Sequence, residues 1–241
     1  MKLLLIDAKY NGEIKFTKEV LEYLKKKKYK TIVLYTTTQF NHGIPEILEQ
    51  LKKENIKVVS SQPERTNKEF QILGCDIYHG NLNLNNKDKN IDAFLYIGNG
   101  KFHPRALLFE EEDSQDNKNK EVITYDPIGK KMIVYDKKDI EKVIQKRKAN
   151  IKKFLTSEKI GVVVTVKPGQ EHMHYVEKLE KAFPNKKFYV FITDNVSFSD
   201  MENFNFIQCW INTACPRIGM EDALETNNSI LNAEEALSLK G

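Results

Sequence analysis

The stretch TIVLYTTTQFNHGIPEILEQLKKENIKVV, residues 31–59, decides the fold class. Thr31–Tyr35 is a short apolar run rich in branched side chains, the composition of a parallel strand buried on both faces. Ile44, Ile47, Leu48 and Leu51 then recur at three- and four-residue spacing, which makes one apolar helix face. Ile56–Val59 predicts a second strand. Strand, helix and strand in that order form a βαβ unit, with parallel strands and the helix packed on the sheet.

The same pattern extends in both directions. Upstream, Leu3–Ile6 reads as another short strand, and Val20, Leu21 and Leu24 give a helical stripe. That stripe ends in the Lys25–Lys28 run, a solvated helix C-terminus favoured by the helix dipole. Downstream, Phe70–Leu73 predicts a short strand stopping at Gly74-Cys75, and Asp92–Ile97 a buried strand closed by Gly98-Asn99-Gly100. Glu110 to Glu121 is charged and Asn-rich and reads as a surface loop. Asp136 is expected to cap a long amphipathic helix with Ile140, Val143, Ile144, Ile151, Phe154 and Leu155 on one face. The alternation then restarts, with strand Ile160–Val166, a helix through Val176 and Leu179, and strands Phe188–Ile192 and Phe206–Thr213.

The expected fold class is therefore α/β, with two similar domains, residues 1–136 and 137–241, each a small, mostly parallel sheet with flanking helices. A faint internal repeat supports duplication. Lys30 to Val59 and Lys159 to Ile192 run alike, with Thr36 matched by Thr165 and Gln39 loosely by Gln170. Each copy is followed by a strand ending on a cysteine, Cys75 in one and Cys215 in the other.

Composition excludes several classes. The 241 residues are 40% apolar and 30% charged, enough to build a core and too apolar for a disordered chain. Lys+Arg 38 against Asp+Glu 34 gives a net +4, which makes no case for direct nucleic-acid binding. Three cysteines rule out a disulfide scaffold. Residues 1–10 hold too short an apolar run for a secretory signal, and no stretch approaches the ~18 apolar residues of a membrane span. The expectation is a soluble, cytoplasmic protein with reduced thiols. Arginine occurs only at Arg65, Arg105, Arg147 and Arg217, so each is a candidate for a fixed, forked contact.

In open α/β sheets ligands bind beyond the carboxyl ends of the strands. Cys75 and Cys215 are expected at such ends, each beside a breaker (Gly74 before one, Pro216 after the other), where a ligand or reactive thiol competes with simple packing as the reading. Cys209 differs: if its strand stays extended, six residues separate it from Cys215 by about 20 Å, too far to share a metal. It reads as a core residue. The segment Gly98 to Pro104 either brings backbone amides to a phosphate or carboxylate or is a plain turn, and His103 is either an acid, base or ligand or a structural histidine. Asp126, in Tyr125-Asp126-Pro127, caps a turn or holds a ribose hydroxyl. Arg217 brings a cation close to whatever Cys215 binds. His172 and His174, two apart on a helix, have poor metal spacing. His42 and His79 read as surface or turn residues.

The strings Gln71-Ile72-Leu73-Gly74-Cys75, Asp92 to Pro104, Tyr125-Asp126-Pro127 and Thr213-Ala214-Cys215-Pro216-Arg217 occur in an order that resembles the diphthamide synthesis family. Its members are iron–sulfur 3-amino-3-carboxypropyl transferases that modify a histidine of translation elongation factor 2. The resemblance covers nearly the whole chain and is to the second and third of three repeated α/β domains. It implies a 4Fe–4S cluster held by three cysteines, one per domain, with S-adenosylmethionine as co-substrate. Carried over by position, Cys75 and Cys215 resemble two cluster ligands. Gly98, Gly100, His103, Asp126, Gln170 and Arg217 resemble the wall around S-adenosylmethionine, with Arg217 the natural carboxylate contact.

The chain also departs from the family pattern. Lys101 stands where Arg is common, and Lys167-Pro168-Gly169-Gln170 replaces an Arg-Gln-Gly turn. Residues 1–19 are too short for the first domain, so the third thiolate is expected from a separate subunit or a homodimer. The function implied is a component of the transferase. The alternative is a paralogue or binding subunit of the pathway without a cluster.

Overall fold

A computed structural model describes residues 8–63, 66–74, 82–84, 90–113, 120–167 and 169–240, with the side chains of 110–113 left aside. The expected Leu3–Ile6 strand, Cys75, His79 and Pro168 lie outside the described residues. The chain divides into two compact units, Met1–Ile140 and Glu141–Gly241.

In the first unit α1 (Lys18–Lys27) leads into β1 (Thr31–Thr36), then α2 (Ile44–Lys53), β2 (Lys57–Val59), β3 (Ala93–Ile97), α3 (Phe102–Asp113), β4 (Val122–Asp126) and β5 (Lys131–Tyr135). The sheet order is β2-β1-β3-β4-β5, parallel except for the β4–β5 hairpin. Leu24, Ile32, Leu34, Ile47, Leu51, Leu95 and Ile123 form the core under α1 and α2, the apolar spacing that the sequence predicts. α1 stops at Lys28, which adopts a left-handed conformation (φ 56°). Two of its terminal lysines are paired rather than merely solvated: Lys25 with Glu54 at 3.1 Å and Lys27 with Glu121 at 3.0 Å.

In the second unit α4 (Glu141–Thr156) precedes β6 (Lys159–Thr165), α5 (His174–Ala182), β7 (Lys187–Thr193), α6 (Phe198–Met201), β8 (Cys209–Asn212), β9 (Ile230–Asn232) and α7 (Ala233–Ser238). This sheet is wholly parallel, in the order β7-β6-β8-β9. The two orders superimpose strand for strand, β2-β1-β3-β4 on β7-β6-β8-β9, with β5 as the addition. Thr36 and Thr165 end the equivalent strands β1 and β6.

Several sequence expectations change. Glu110 to Glu121 is not one loop, because α3 continues to Asp113. Glu121 is not loose surface charge either: its carboxylate accepts from the Tyr23 hydroxyl at 2.8 Å, from Lys27 at 3.0 Å and from the Tyr29 hydroxyl. Phe70–Leu73 forms only a single bridge, Gln71 to Thr36, because Phe70 takes a positive φ of 66° and only the end of the β1 edge remains beyond β2. Gln71 therefore stands on the β2 side of β1, whereas Cys215 follows β8 on the other side of β6. The two cysteine-bearing segments are not equivalent, and the counterpart of the Cys215 turn is the Gly98–Lys101 turn after β3. The strand expected from Phe206 starts only at Cys209, since a turn closed by Ile207 N–H to Phe204 C=O occupies the preceding residues. Asp136 caps a short 3-10 turn, accepting from Lys138 N–H, and α4 begins after it. Leu155 points to solvent.

One half-buried cation closes α4. The Lys186 ammonium donates to the carbonyls of Phe154, Leu155 and Ser157 at 2.8, 3.1 and 2.6 Å, and lies 4.9 Å from the Phe154 ring centre. They cluster where α4 ends and its carbonyls run out of intrahelical donors, and Phe154 C=O also accepts from Ser157 N–H at 3.2 Å. Lys186→Met keeps the stem and removes the donor. It should cost about 1.5–3 kcal/mol in urea unfolding; a loss within error of zero would show that water replaces the ammonium without penalty.

Candidate functional site

In each sheet the first crossover goes one way from the central strand and the next strand is added on the other side. The reversal falls between β1 and β3 in the first unit and between β6 and β8 in the second. A crevice at the carboxyl ends of such strand pairs is where open α/β sheets bind ligands.

In the first unit Thr36 ties this end together. Its hydroxyl donates to Ile97 C=O at 2.7 Å, its N–H donates to Phe70 C=O at 2.7 Å, and its C=O accepts from Ile72 N–H at 3.0 Å. Gln71 adds a side-chain bond to the Thr38 hydroxyl at 2.7 Å. The chain leading to Cys75 is thereby fixed at the β1 end. Gly74 sits so close to Phe102, the first residue of α3, that a Cβ there would fall 1.8 Å from the ring. Across the crevice Gly98 N–H donates to Tyr125 C=O at 2.9 Å, and Gly100 adopts φ 81°. A Cβ on Gly100 would meet nothing within 4 Å, so a ligand can approach this backbone closely.

α3 then starts with Phe102, His103 and Pro104. Proline is compatible with a first helical turn, where N–H groups have no carbonyl partner. His103 stacks on Tyr96 with ring centres 6.1 Å apart and planes 8° apart. Burial holds the His103 imidazole below its ordinary pKa, so it is neutral at pH 7. The Tyr96 hydroxyl is wholly buried beside Gly98 and has no hydrogen-bond partner among the described residues, and desolvation raises its pKa well above the ordinary phenol value. Asp126, at the end of β4, accepts from Ile128 N–H at 2.9 Å and so caps the β4–β5 turn.

In the second unit the β6 and β8 ends meet through Thr213, whose hydroxyl donates to Val163 C=O at 3.0 Å. Thr165 donates to Gln170 C=O at 3.1 Å, folding the following turn back around Gly169 (φ 77°). Cys215 is held by an amide pair. Asn212 Nδ2 donates to Cys215 C=O at 2.9 Å and to Asn232 Oδ1 at 2.8 Å, while Asn212 Oδ1 accepts from Ala214 N–H at 3.1 Å. Asn232 Nδ2 in turn donates to Pro216 C=O at 2.8 Å. The Cys215 thiol stays half-exposed on this rigid turn. Arg217 directs its Nε to Asp222 at 2.9 Å, with Glu221 at 3.8 Å, so its charge is shared with two carboxylates.

Sequence reasoning named Gly98, Gly100, His103, Gln170, Cys215 and Arg217 and missed Tyr96, Asn212 and Asn232. Periodicity places Tyr96 and Asn212 in buried strands. Two asparagines where apolar residues belong were the only available signal for the amide pair. Cys209 is fully buried, and desolvation pushes its thiol up to about 12, the state of a packed core residue. Cys215, accessible at a strand end, suits a thiolate ligand. Among the described residues no three His, Cys, Asp or Glu side chains gather as a metal site. No described helix is long and apolar enough to cross a membrane.

The family model for diphthamide synthesis proteins matches residues 2–240. The chain belongs to this family. It is similar to the 2-(3-amino-3-carboxypropyl)histidine synthase of Pyrococcus horikoshii, with 27% identity over 219 residues covering 90% of this chain and 59% of that protein. A synthase of the same name from Methanocaldococcus jannaschii is 30% identical over 168 residues, covering 68% and 44%. The crystal structure of Dph2 from Pyrococcus horikoshii with a 4Fe-4S cluster aligns with a TM-score of 0.71 and 27% identity, covering 92% of this chain and 62% of that one. The chain thus spans about three-fifths of that synthase, and the two-unit α/β architecture of this diphthamide-family chain is shared with it.

Proposed function

We propose that this chain is a component of a cytoplasmic, iron–sulfur, S-adenosylmethionine-dependent 3-amino-3-carboxypropyl transferase acting on a histidine of translation elongation factor 2. Residues 1–136 and 137–241 correspond in this reading to the second and third repeated domains of the family. The observation that carries it is the Cys215 turn: a half-exposed thiol braced by Asn212 and Asn232 at the switch point of a parallel sheet. A named synthase relative with a 4Fe-4S cluster in its crystal structure supports the same assignment.

Cys75 and Cys215 hold the cluster, and the third thiolate comes from outside these 241 residues. A cluster bound there supplies the electron that opens a carbon–sulfur bond of S-adenosylmethionine. The chain's own residues bind and orient. The bare backbone at Gly100 admits the co-substrate's methionine end, with Gly98 packed on Tyr96 beneath it, and the first-turn N–H groups of α3 favour a carboxylate. The buried Tyr96 hydroxyl offers a further donor beneath that turn. His103, half-buried and with its pKa lowered by desolvation, packs without adding charge at pH 7. Asp126, Gln170 and Arg217 complete the lining, with Arg217 held toward Asp222 until an anion competes for it.

Anaerobic reconstitution with iron and sulfide tests this, on the chain alone and together with a polypeptide resembling the family's first domain. Stable iron and sulfide in the combined preparation, lost in Cys75→Ala and in Cys215→Ala, is the expected result. If neither preparation retains iron and the double variant leaves transfer unchanged, the chain is not part of such an enzyme.

A further inference from the structure

Tyr96 lies in β3 with its ring wholly buried, and its hydroxyl has no hydrogen-bond partner among the described residues. Buried hydroxyls are nearly always paired, and phenylalanine would fill this volume without burying a polar atom. The two other described tyrosines buried to the same degree obey that rule. The Tyr35 hydroxyl shares a hydrogen bond with that of Ser61 at 2.6 Å, and Tyr125 donates to Lys15 C=O at 2.8 Å.

The surroundings limit what can reach the Tyr96 hydroxyl. The ring stacks on His103, in the first turn of α3. At the far end of the ring, a Cβ on Gly98 would fall 2.7 Å from the hydroxyl oxygen, so the phenol stops against bare backbone and no side chain fits between. The acceptor within reach is therefore a peptide group of the turn 98–101. That turn has the freedom to supply one. Gly98 and Gly100 have φ 156° and 81°, and Asn99, Gly100 and Lys101 are exposed.

We propose that Tyr96 is a positioning residue for an anion bound at this turn, its hydroxyl donating to Gly98 C=O once the Gly98–Asn99 peptide rotates. The C=O and N–H of a trans peptide point in opposite directions. Rotation that turns Gly98 C=O inward onto the phenol therefore turns Asn99 N–H outward, where it joins the first-turn N–H groups of α3. The residue after a rotated peptide takes a positive φ, and asparagine is one of the few side-chain-bearing residues that accept it. One hydrogen bond forms inside and one to the anion, so each favours the other. The anion is the carboxylate of S-adenosylmethionine, and in this the inference rests on the function proposed above.

Tyr96→Phe removes the hydroxyl alone. Without ligand the variant of the full chain should melt within about 2 °C of wild type or above it, because no bond is lost. Calorimetric titration of the anaerobically reconstituted protein should show S-adenosylmethionine binding weakened about fivefold. Decarboxylated S-adenosylmethionine, which lacks the anion, should bind wild type and variant alike, a difference that general loosening of the site would not produce. If the decarboxylated form binds too weakly to compare, the other two measurements decide. A melting temperature lowered by more than about 2 °C shows that the hydroxyl is already satisfied in the free protein and overturns the proposal. Unchanged affinity for S-adenosylmethionine, or equal weakening for both ligands, overturns it too and leaves the functional reading intact. Wild-type protein that binds neither ligand defeats that reading and the inference with it.

Discussion

Asn212→Ala should lower the stability of the second unit by about 2–4 kcal/mol, because one buried N–H is left without a partner, at about 1–3 kcal/mol, and two acceptors that keep the N–H groups of Ile218 and Glu235 each lose one further bond, at about 0.5–1.5 kcal/mol. Ala214 N–H would lose Asn212 Oδ1, while Cys215 C=O and Asn232 Oδ1 would lose the Nδ2 donor. Asn212 and Asn232 are both almost wholly buried, so water cannot take over without opening the turn. Asn232 has its own commitments, since it caps α7 in a reciprocal box with Glu235 and donates to Pro216 C=O. The substitution therefore loosens the Cys215 turn and the β9–α7 junction together. Urea unfolding followed through Trp210, which lies in the second unit, measures the stability change. Alkylation of Cys215 should also speed up as the turn opens. A change below about 1 kcal/mol, with alkylation unaltered, would show that the amide pair does not brace the thiol.

The second large effect is expected at Gly74. A methyl group there would lie 1.8 Å from the Phe102 ring, which stands at the first turn of α3. Either the ring is driven out of the α3 N-terminus or the segment before Cys75 withdraws from β1, where Gln71 and Ile72 pin it to Thr38 and Thr36. Overpacking of this kind costs about 1–3 kcal/mol. Gly74→Ala should lower the melting temperature and sharply reduce the iron retained after reconstitution. Phe102→Leu removes the edge of the ring that the methyl group meets, so the double variant should recover much of both losses, the signature of direct contact in a mutant cycle. If Gly74→Ala keeps wild-type stability and iron, the close approach of these two segments has no role in holding Cys75.

Much of this architecture is legible in the chain itself. Ile44, Ile47, Leu48 and Leu51 announce a helix, and Thr31–Tyr35 and Asp92–Ile97 announce buried strands, because periodicity follows from which side chains must leave water. The resemblance carried by Leu-Gly-Cys, Gly-Asn-Gly-Lys-Phe-His and Ala-Cys-Pro-Arg was also readable, and the family match over residues 2–240 agrees with it. The failures have physical causes. Phe70–Leu73 has strand composition, yet β2 already fills the first half of the β1 edge and a positive φ at Phe70 limits pairing to one bridge. Glu121 reads as loop charge because its partners, Tyr23 and Tyr29, lie more than ninety positions away.

Composition and pattern by themselves determined the α/β class, the doubling of the unit, the exclusion of a disulfide scaffold and the difference between Cys209 and Cys215. Those properties depend on local periodicity and on what each residue type can bury. The tertiary structure alone decided that the segment before Cys75 and the Cys215 turn stand at non-equivalent places, that Asn212 and Asn232 brace the second of them, and that β7 is the longest edge strand among the described residues. Strand order and hydrogen-bond partners join residues distant along the chain. They are fixed by which backbone groups remain unpaired once the sheets have formed.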